Sequence, residues 1–217
     1  MKTVQLTKAG AVIFASKAQI RQMRAQFEEN HCLCFPEFLE PSLLKGIQRE
    51  IRHAQFRTKK HDASGVELGM KENEAMRLLQ FILNEPPLFD FLEKVTGCKP
   101  VNFFLGRIYS MLPNGSHYHD WHKDNKSFRL LGVSINLSSE VFEGGSLQLR
   151  DAKSKKLLHE VTNTGFGDLL IFRIAEKIEH CVMPVTGKVP KIACAGWFHT
   201  KPHYLNFLKQ SLAHANA

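Results

Sequence analysis

Trp121-His122-Lys123-Asp124 is answered, 58 residues after His122, by His180 in the run Lys177-Ile178-Glu179-His180-Cys181-Val182-Met183-Pro184. In an extended segment residues i and i+2 point the same way, so His122 and Asp124 can converge on one ion from a single strand. A third ligand has to come from elsewhere in the chain, and His180 lies in a short β-rich run that ends at a proline. Two imidazoles and one carboxylate are the set that holds a non-haem ferrous ion on one face and leaves the opposite positions open. Lys191, further on, is a basic residue suited to an acidic co-substrate. A lone histidine in a half-buried strand is more often a hydrogen-bonded structural residue than a ligand. His117 and His119 fall under that rule, because they precede the pair at an odd offset that turns them to the opposite face of a regular strand.

The text around these residues is more specific than the pair itself. In order it reads Tyr109-Ser110-Met111-Leu112-Pro113-Asn114-Gly115-Ser116, then His122-Lys123-Asp124, Ile135-Asn136-Leu137, Phe142-Glu143-Gly144-Gly145-Ser146-Leu147 and Gly167-Asp168-Leu169-Leu170-Ile171-Phe172. It closes with His180-Cys181-Val182-Met183-Pro184-Val185-Thr186-Gly187 and with Lys191 through Trp197-Phe198. This order resembles the Fe(II)/2-oxoglutarate-dependent dioxygenases, in their prolyl-hydroxylase-like branch.

The resemblance implies a role for each matched position. His122, Asp124 and His180 would ligate Fe(II), with 2-oxoglutarate and then dioxygen on the open side. Lys191 falls where the family places the Arg or Lys that pairs with the distal carboxylate of 2-oxoglutarate, as a point charge rather than a bidentate fork. Tyr109 is a candidate donor to the same carboxylate, and Arg107, two residues earlier, shares its face. Asn136 and Arg173 are further candidates to line the pocket. Halogenating relatives replace the carboxylate ligand by a small residue to admit halide, so Asp124 favours hydroxylation. The implied reaction decarboxylates 2-oxoglutarate to succinate, with ascorbate as an accompanying reductant, and oxidises an aliphatic carbon of a prolyl residue or a free amino acid.

Composition bounds the rest. The chain has 217 residues, 43% hydrophobic and 10% aromatic, enough for one sizeable core, and a single domain over residues 1–217 is expected. No apolar run approaches the roughly 20 residues that span a membrane. Ala9 to Ala15 is too short for a convincing leader and reads as a strand packed on the core. Five cysteines, an odd number without CxxC spacing, argue against a disulfide framework or a structural zinc site and fit a reducing cytoplasm; Cys32 and Cys34 sit in an apolar run, as buried thiols do.

The order along the chain is helices, then strands, giving an α+β fold with a mainly β core. Ile20, Met23 and Phe27 mark a helix over 17–29; Glu40-Pro41-Ser42 opens a second to about Arg52; a third runs from Glu72 to Leu83 and a fourth from Pro87 to Val95, stopped by Gly97. These helices make residues 1–100 a mostly helical support. Residues 101–200 read as short strands between turns, a double-stranded β-helix or jelly roll, and 201–217 as a tail with a short helix after Pro202. Arg57 to Gly69 is polar and aperiodic, the composition of a solvated loop or of a mobile segment over the iron site.

A net charge of +8 raises a nucleic-acid partner. The dealkylases of the wider superfamily carry one Arg at the co-substrate position and another six residues later, however, where this chain has Lys191 and Trp197. The basic residues are also spread, with no dense run beyond Lys59-Lys60 and Lys153 to Lys156. The favoured partner is a peptide, protein or small molecule, with nucleic acid second and a membrane excluded. The competing classes are a nucleic-acid oxidative demethylase and a non-catalytic metal-binding β-barrel.

Overall fold

Ser16 opens the first helix, α1 (Lys17–Asn30), through a capping box in which its hydroxyl accepts from the Gln19 amide and the Gln19 side chain accepts from the Ser16 amide. Pro41 occupies the first turn of α2 (Pro41–Arg52) and Pro86 that of α4 (Pro86–Thr96), which stops at Gly97 in the left-handed region. Asn73 caps α3 (Glu74–Ile82). The computed structural model describes residues 2–61, 65–113, 117–125, 128–162 and 164–200. The helix expected after Pro202, the rest of the tail, and Gly115 of the Tyr109 run lie outside the described residues.

Eleven strands form one large curled antiparallel sheet, the double-stranded β-helix expected. They are β3 (Cys32–Phe35), β4 (Phe56–His61), β5 (Gly65–Met70), β6 (Phe103–Met111), β7 (Tyr118–His122), β8 (Arg129–Asn136), β10 (Leu147–Asp151), β11 (Leu157–Val161), β12 (Leu169–Arg173), β13 (Ile178–Val182) and β15 (Lys191–His199). The order along the sheet is β11-β10-β13-β7-β5-β6-β15-β8-β12-β3, with β4 on the outer side of β5. β9 (Glu143–Gly144) pairs β14 (Val185–Thr186) in a short ribbon apart from it.

Strand alternation decides what each side of this sheet does. Phe104 and Ile108 of β6, Leu131, Val133 and Ile135 of β8, Leu169 and Ile171 of β12, and Cys194 and Phe198 of β15 belong to one buried cluster with the helices. The intervening residues, Arg107 and Tyr109, Ser134 and Asn136, Leu170 and Phe172, and Lys191, Ala195 and Trp197, line a cavity. The helices therefore back one layer and leave the inside of the curl open.

Two expectations are corrected here. Residues 9–15 pack on the core only in part: β1 (Val4–Thr7) and β2 (Gly10–Ile13) make a hairpin in which Val4 and Leu6 are buried and Ala11 and Ala15 lie against the core, while Val12, Ile13 and Phe14 face solvent. Residues 57–69 are not an aperiodic loop, because β4 and β5 pair in register and β5 bridges β6 and β7. Cys32 is buried, whereas Cys34, two residues further along β3, is exposed and not the buried thiol expected; all five thiols are free. No helix among the described residues is long and apolar enough to cross a membrane.

The Gly167-Asp168 turn ties the sheet to the N-terminal layer. Gly167 takes a positive φ of 78°, and the buried Asp168 carboxylate accepts from the Glu37 amide at 2.9 Å and the Gly165 amide at 2.7 Å. Removing that carboxylate strands two backbone donors in a partly buried turn. Asp168→Ala is expected to cost about 2–3 kcal/mol, read as a lower urea midpoint at an unchanged slope.

Candidate metal centre

β7 and β13 run antiparallel with His122 opposite His180, and their rings stand 4.3 Å apart between centroids. Asp124 lies two residues past His122 on the same side, its Oδ2 3.3 Å from His180 Nε2 and 3.8 Å from His122 Nε2. The three ligating atoms fall within 4.8 Å of one another, and the donor set is the one a non-haem ferrous ion takes. His122 Nδ1 lies 2.6 Å from the Asp120 carbonyl, which makes that nitrogen the N–H donor and leaves the Nε2 lone pair for a metal.

Both oxygens of Asp124 are held. Arg129 donates to Oδ1 at 2.8 Å and the Trp197 indole to Oδ2 at 2.7 Å, while the Arg129 guanidinium stacks 3.5 Å over the Trp197 ring. Burial would raise the Asp124 carboxyl, but hydrogen bonds from His122, His180 and Trp197 outweigh it and hold the group well below the usual carboxylate range. Burial pushes His180 downward against its bond to Asp124. The site thus offers an ionised carboxylate beside an imidazole that favours its neutral, ligating form.

The other expected residues sit around this cluster. Lys191, at the start of β15, reaches into the cavity and donates to the Gly145 carbonyl at 2.6 Å. Among the described residues no carboxylate pairs with it, and burial lowers its pKa to about 8. Tyr109 is 3% exposed and lines the same cavity, its ring edge-on to His119 and under the Arg107 guanidinium. Arg107 is already matched: its fork engages the buried Glu67, with Nη2 2.8 Å from Oε2. Asn136 faces the cavity, but its amide donates to the Thr164 carbonyl and accepts from the Ser138 amide, so it holds backbone in place.

Arg173 does not belong to the site. It follows Phe172, which faces the cavity, and so turns the other way, pairing with Glu28 at 2.9 Å and lying over Phe27 of α1. His117 accepts from the Leu112 amide outside the cluster. His119 corrects the parity argument: the register shifts between His180/His122 and Val182/His119, so three residues of β7 span two of β13. This bulge turns His119 into the cavity, with Nε2 3.0 Å from Glu67 Oε2. Glu67, Arg129 and the donor role of Trp197 were not found by sequence reasoning. The alternation of Gly65-Val66-Glu67-Leu68-Gly69-Met70 marks a strand but puts the apolar residues on the face opposite Glu67; the partners of Asp124 had no signal at the level of spacing.

Residues 107–199, which contain the whole cluster, match the model of the 2OG-Fe(II) oxygenase superfamily. Over that stretch the chain is similar to this family. That family implies Fe(II), 2-oxoglutarate and dioxygen, and the His122, Asp124 and His180 donor set fits the iron. Among solved structures, a Pseudomonas putida prolyl-4-hydroxylase is similar at 15% identity and a TM-score of 0.64, covering 84% of this chain and 100% of that one. A Trichoplax adhaerens prolyl hydroxylase in complex with a hypoxia inducible factor oxygen degradation domain peptide fragment is similar at 15% identity and a TM-score of 0.58, covering 86% of this chain and 94% of that one. SnoN, a non-heme alpha ketoglutarate dependent epimerase from nogalamycin biosynthesis, is similar at 14% identity and a TM-score of 0.63, covering 89% of each. At such identities the likeness is one of fold. No curated protein sequence matches the chain.

The indole that holds Asp124 is open to test. Trp197→Phe keeps the ring's bulk and removes the donor, and is expected to weaken Mn(II) binding by about tenfold or more in a calorimetric titration. His180→Ala should abolish that binding, with circular dichroism confirming the fold of both variants.

Proposed function

We propose that the oxygenase hydroxylates an aliphatic carbon, with a prolyl residue of a polypeptide or a free amino acid as substrate. The observation that carries this reading is Asp124 within the metal cluster: a carboxylate holds the coordination position that a halogenating site would leave for halide. The two prolyl hydroxylases among the similar folds support the substrate class. When bound, iron and 2-oxoglutarate supply the oxidising power, the co-substrate leaving as succinate and carbon dioxide.

The chain's own groups do the placing. His122, Asp124 and His180 hold one face of the metal, and Arg129 and Trp197 keep the carboxylate from rotating. Lys191 receives the distal carboxylate of 2-oxoglutarate: one of its three N–H groups is used by Gly145, leaving two for the ligand. Tyr109, whose hydroxyl has no protein partner among the described residues, is the second donor. Arg107 does not serve this anion, because Glu67 already neutralises it. Leu147, Leu170 and Phe172 give the cavity an apolar wall that keeps water from the reacting carbon.

Purified protein with Fe(II), ascorbate and oxygen should release succinate from 2-oxoglutarate, and both His122→Ala and Lys191→Ala should abolish the release. Prolyl peptides and free amino acids, screened by mass spectrometry, should include one that gains a single oxygen atom. If succinate forms and none of them is oxidised, this substrate class is wrong. The pH dependence follows from Lys191. Burial lowers its pKa to about 8, so the anchor is an ammonium below that pH and a neutral amine above it. The KM for 2-oxoglutarate should therefore climb above pH 8, by at most about tenfold per pH unit, and Lys191→Arg should flatten that rise.

A further inference from the structure

The β4–β5 hairpin brings two cations to the side of the sheet that carries the iron site. Arg57 pairs with Gly69 and Lys59 with Glu67. Directly paired residues of antiparallel strands project from the same face, and that face is the one from which Glu67 engages Arg107 and His119 of the cavity. On β5 only Glu67 carries a side chain there, since its neighbours on that face are Gly65 and Gly69. A Cβ on Gly69 would stand 3.6 Å from Lys59 Cδ, so the aliphatic stem of Lys59 lies across the glycine.

The single carboxylate on this ledge is committed to Arg107 and His119. Among the described residues no carboxylate makes a hydrogen bond or close ion pair with Arg57 or Lys59, and Lys59 feels Glu67 only as a neighbouring charge. Partial burial disfavours the charge on Lys59, and Arg107 and Arg57 add repulsion that Glu67 offsets only in part. The ledge therefore holds uncompensated positive charge beside the mouth of the cavity.

We propose that Arg57 and Lys59 are a specificity subsite for the prime substrate, and that this substrate is a polypeptide with an aspartate or glutamate close to the oxidised residue. The inference rests on the hydroxylase reading and names its substrate class. Two strand spacings separate β4 from β6, which carries Arg107 and Tyr109, about 10 Å in all. That span corresponds to about three extended residues between the acidic side chain and the residue at the iron. Among the described strands β4 pairs with β5 alone, so its outer edge presents backbone donors and acceptors to an extended chain. The register positions of the cation-bearing face include no Phe, Tyr or Trp and one histidine, His61 at the end of β4, so rings on which a nucleobase could stack are few, which favours polypeptide over nucleic acid.

The test uses the full chain loaded with Mn(II) and N-oxalylglycine, which hold the site without turnover. The probes are fluorescein-labelled alanine-based peptides with a central proline and two aspartates placed two to five residues from it, and the same peptides with asparagine. Fluorescence anisotropy should show the aspartate series binding about five- to tenfold more tightly, with the gap narrowing as salt is raised. Arg57→Glu/Lys59→Glu should erase or invert that preference, and Lys60→Glu, on the opposite face of β4, should leave it in place. N-oxalylglycine affinity, measured on each variant, reports separately whether the co-substrate site is intact, so its loss in the wild type would count against the hydroxylase reading and not against the ledge. Equal binding of the two series, binding of neither, or a preference that survives the double charge reversal overturns the proposal. Tighter binding of oligo-dT than of the aspartate peptides, lost in the same double variant, reassigns the ledge to nucleic acid and overturns it too.

Discussion

A carboxylate among apolar strands costs several kcal/mol unless its charge is met by donors in good geometry, and Asp124 is the group around which this half of the molecule is arranged. Its partners arrive from different places: Arg129 opens β8, Trp197 lies late in β15 and His180 sits in mid-β13. Each can reach it only if those strands keep their present order and register. The ion that the cluster suits and the curl of the sheet therefore impose one constraint. The helices complete it from outside, where Phe104, Ile108, Val133 and Phe198 bury the opposite face of the same strands.

What could be read beforehand was whatever nearby residues decide. Pro41 and Gly97 mark helix ends through backbone restrictions that operate within a turn, and α2 and α4 lie where those residues place them. His122 and Asp124 share a face because of a spacing of two, and the ordered motifs downstream supplied His180 and Lys191. The failures arose where parity was broken or inverted. One extra residue in β7 turns His119 inward. In β5 the buried set is Gly65, Glu67 and Gly69, while Val66, Leu68 and Met70 are only partly covered, so hydrophobic alternation pointed away from the face that matters. In β2 an apolar run stays largely in solvent because β1 takes the buried place. The partners of Asp124 come from residues up to 73 positions away, and no local pattern reports contacts of that range.

Two cations on neighbouring strands show why net charge says little about a site. Arg107 of β6 is matched within the protein by Glu67, so it contributes rigidity around Tyr109. Lys191 of β15 has a carbonyl oxygen and the ring of Phe142 for company and no carboxylate among the described residues, so its charge remains available to a ligand. The chain's excess of eight positive charges does not distinguish them; their partners do.

β15 lies between β6 and β8 in the middle of the large sheet, and it is the last strand of the described chain to be synthesised. As the chain leaves the ribosome, β6 and β8 wait with open edges for about 55 to 80 residues before the strand that joins them exists. Lys191 and Trp197 travel on that strand, so the donor that steadies the carboxylate and the ammonium of the cavity are put in place in the same event that closes the sheet. Such late, long-range closure slows folding and prolongs the exposure of unpaired strands. For this architecture the vulnerable interval lasts until β15 pairs, and a chaperone that shields sheet edges would act within it.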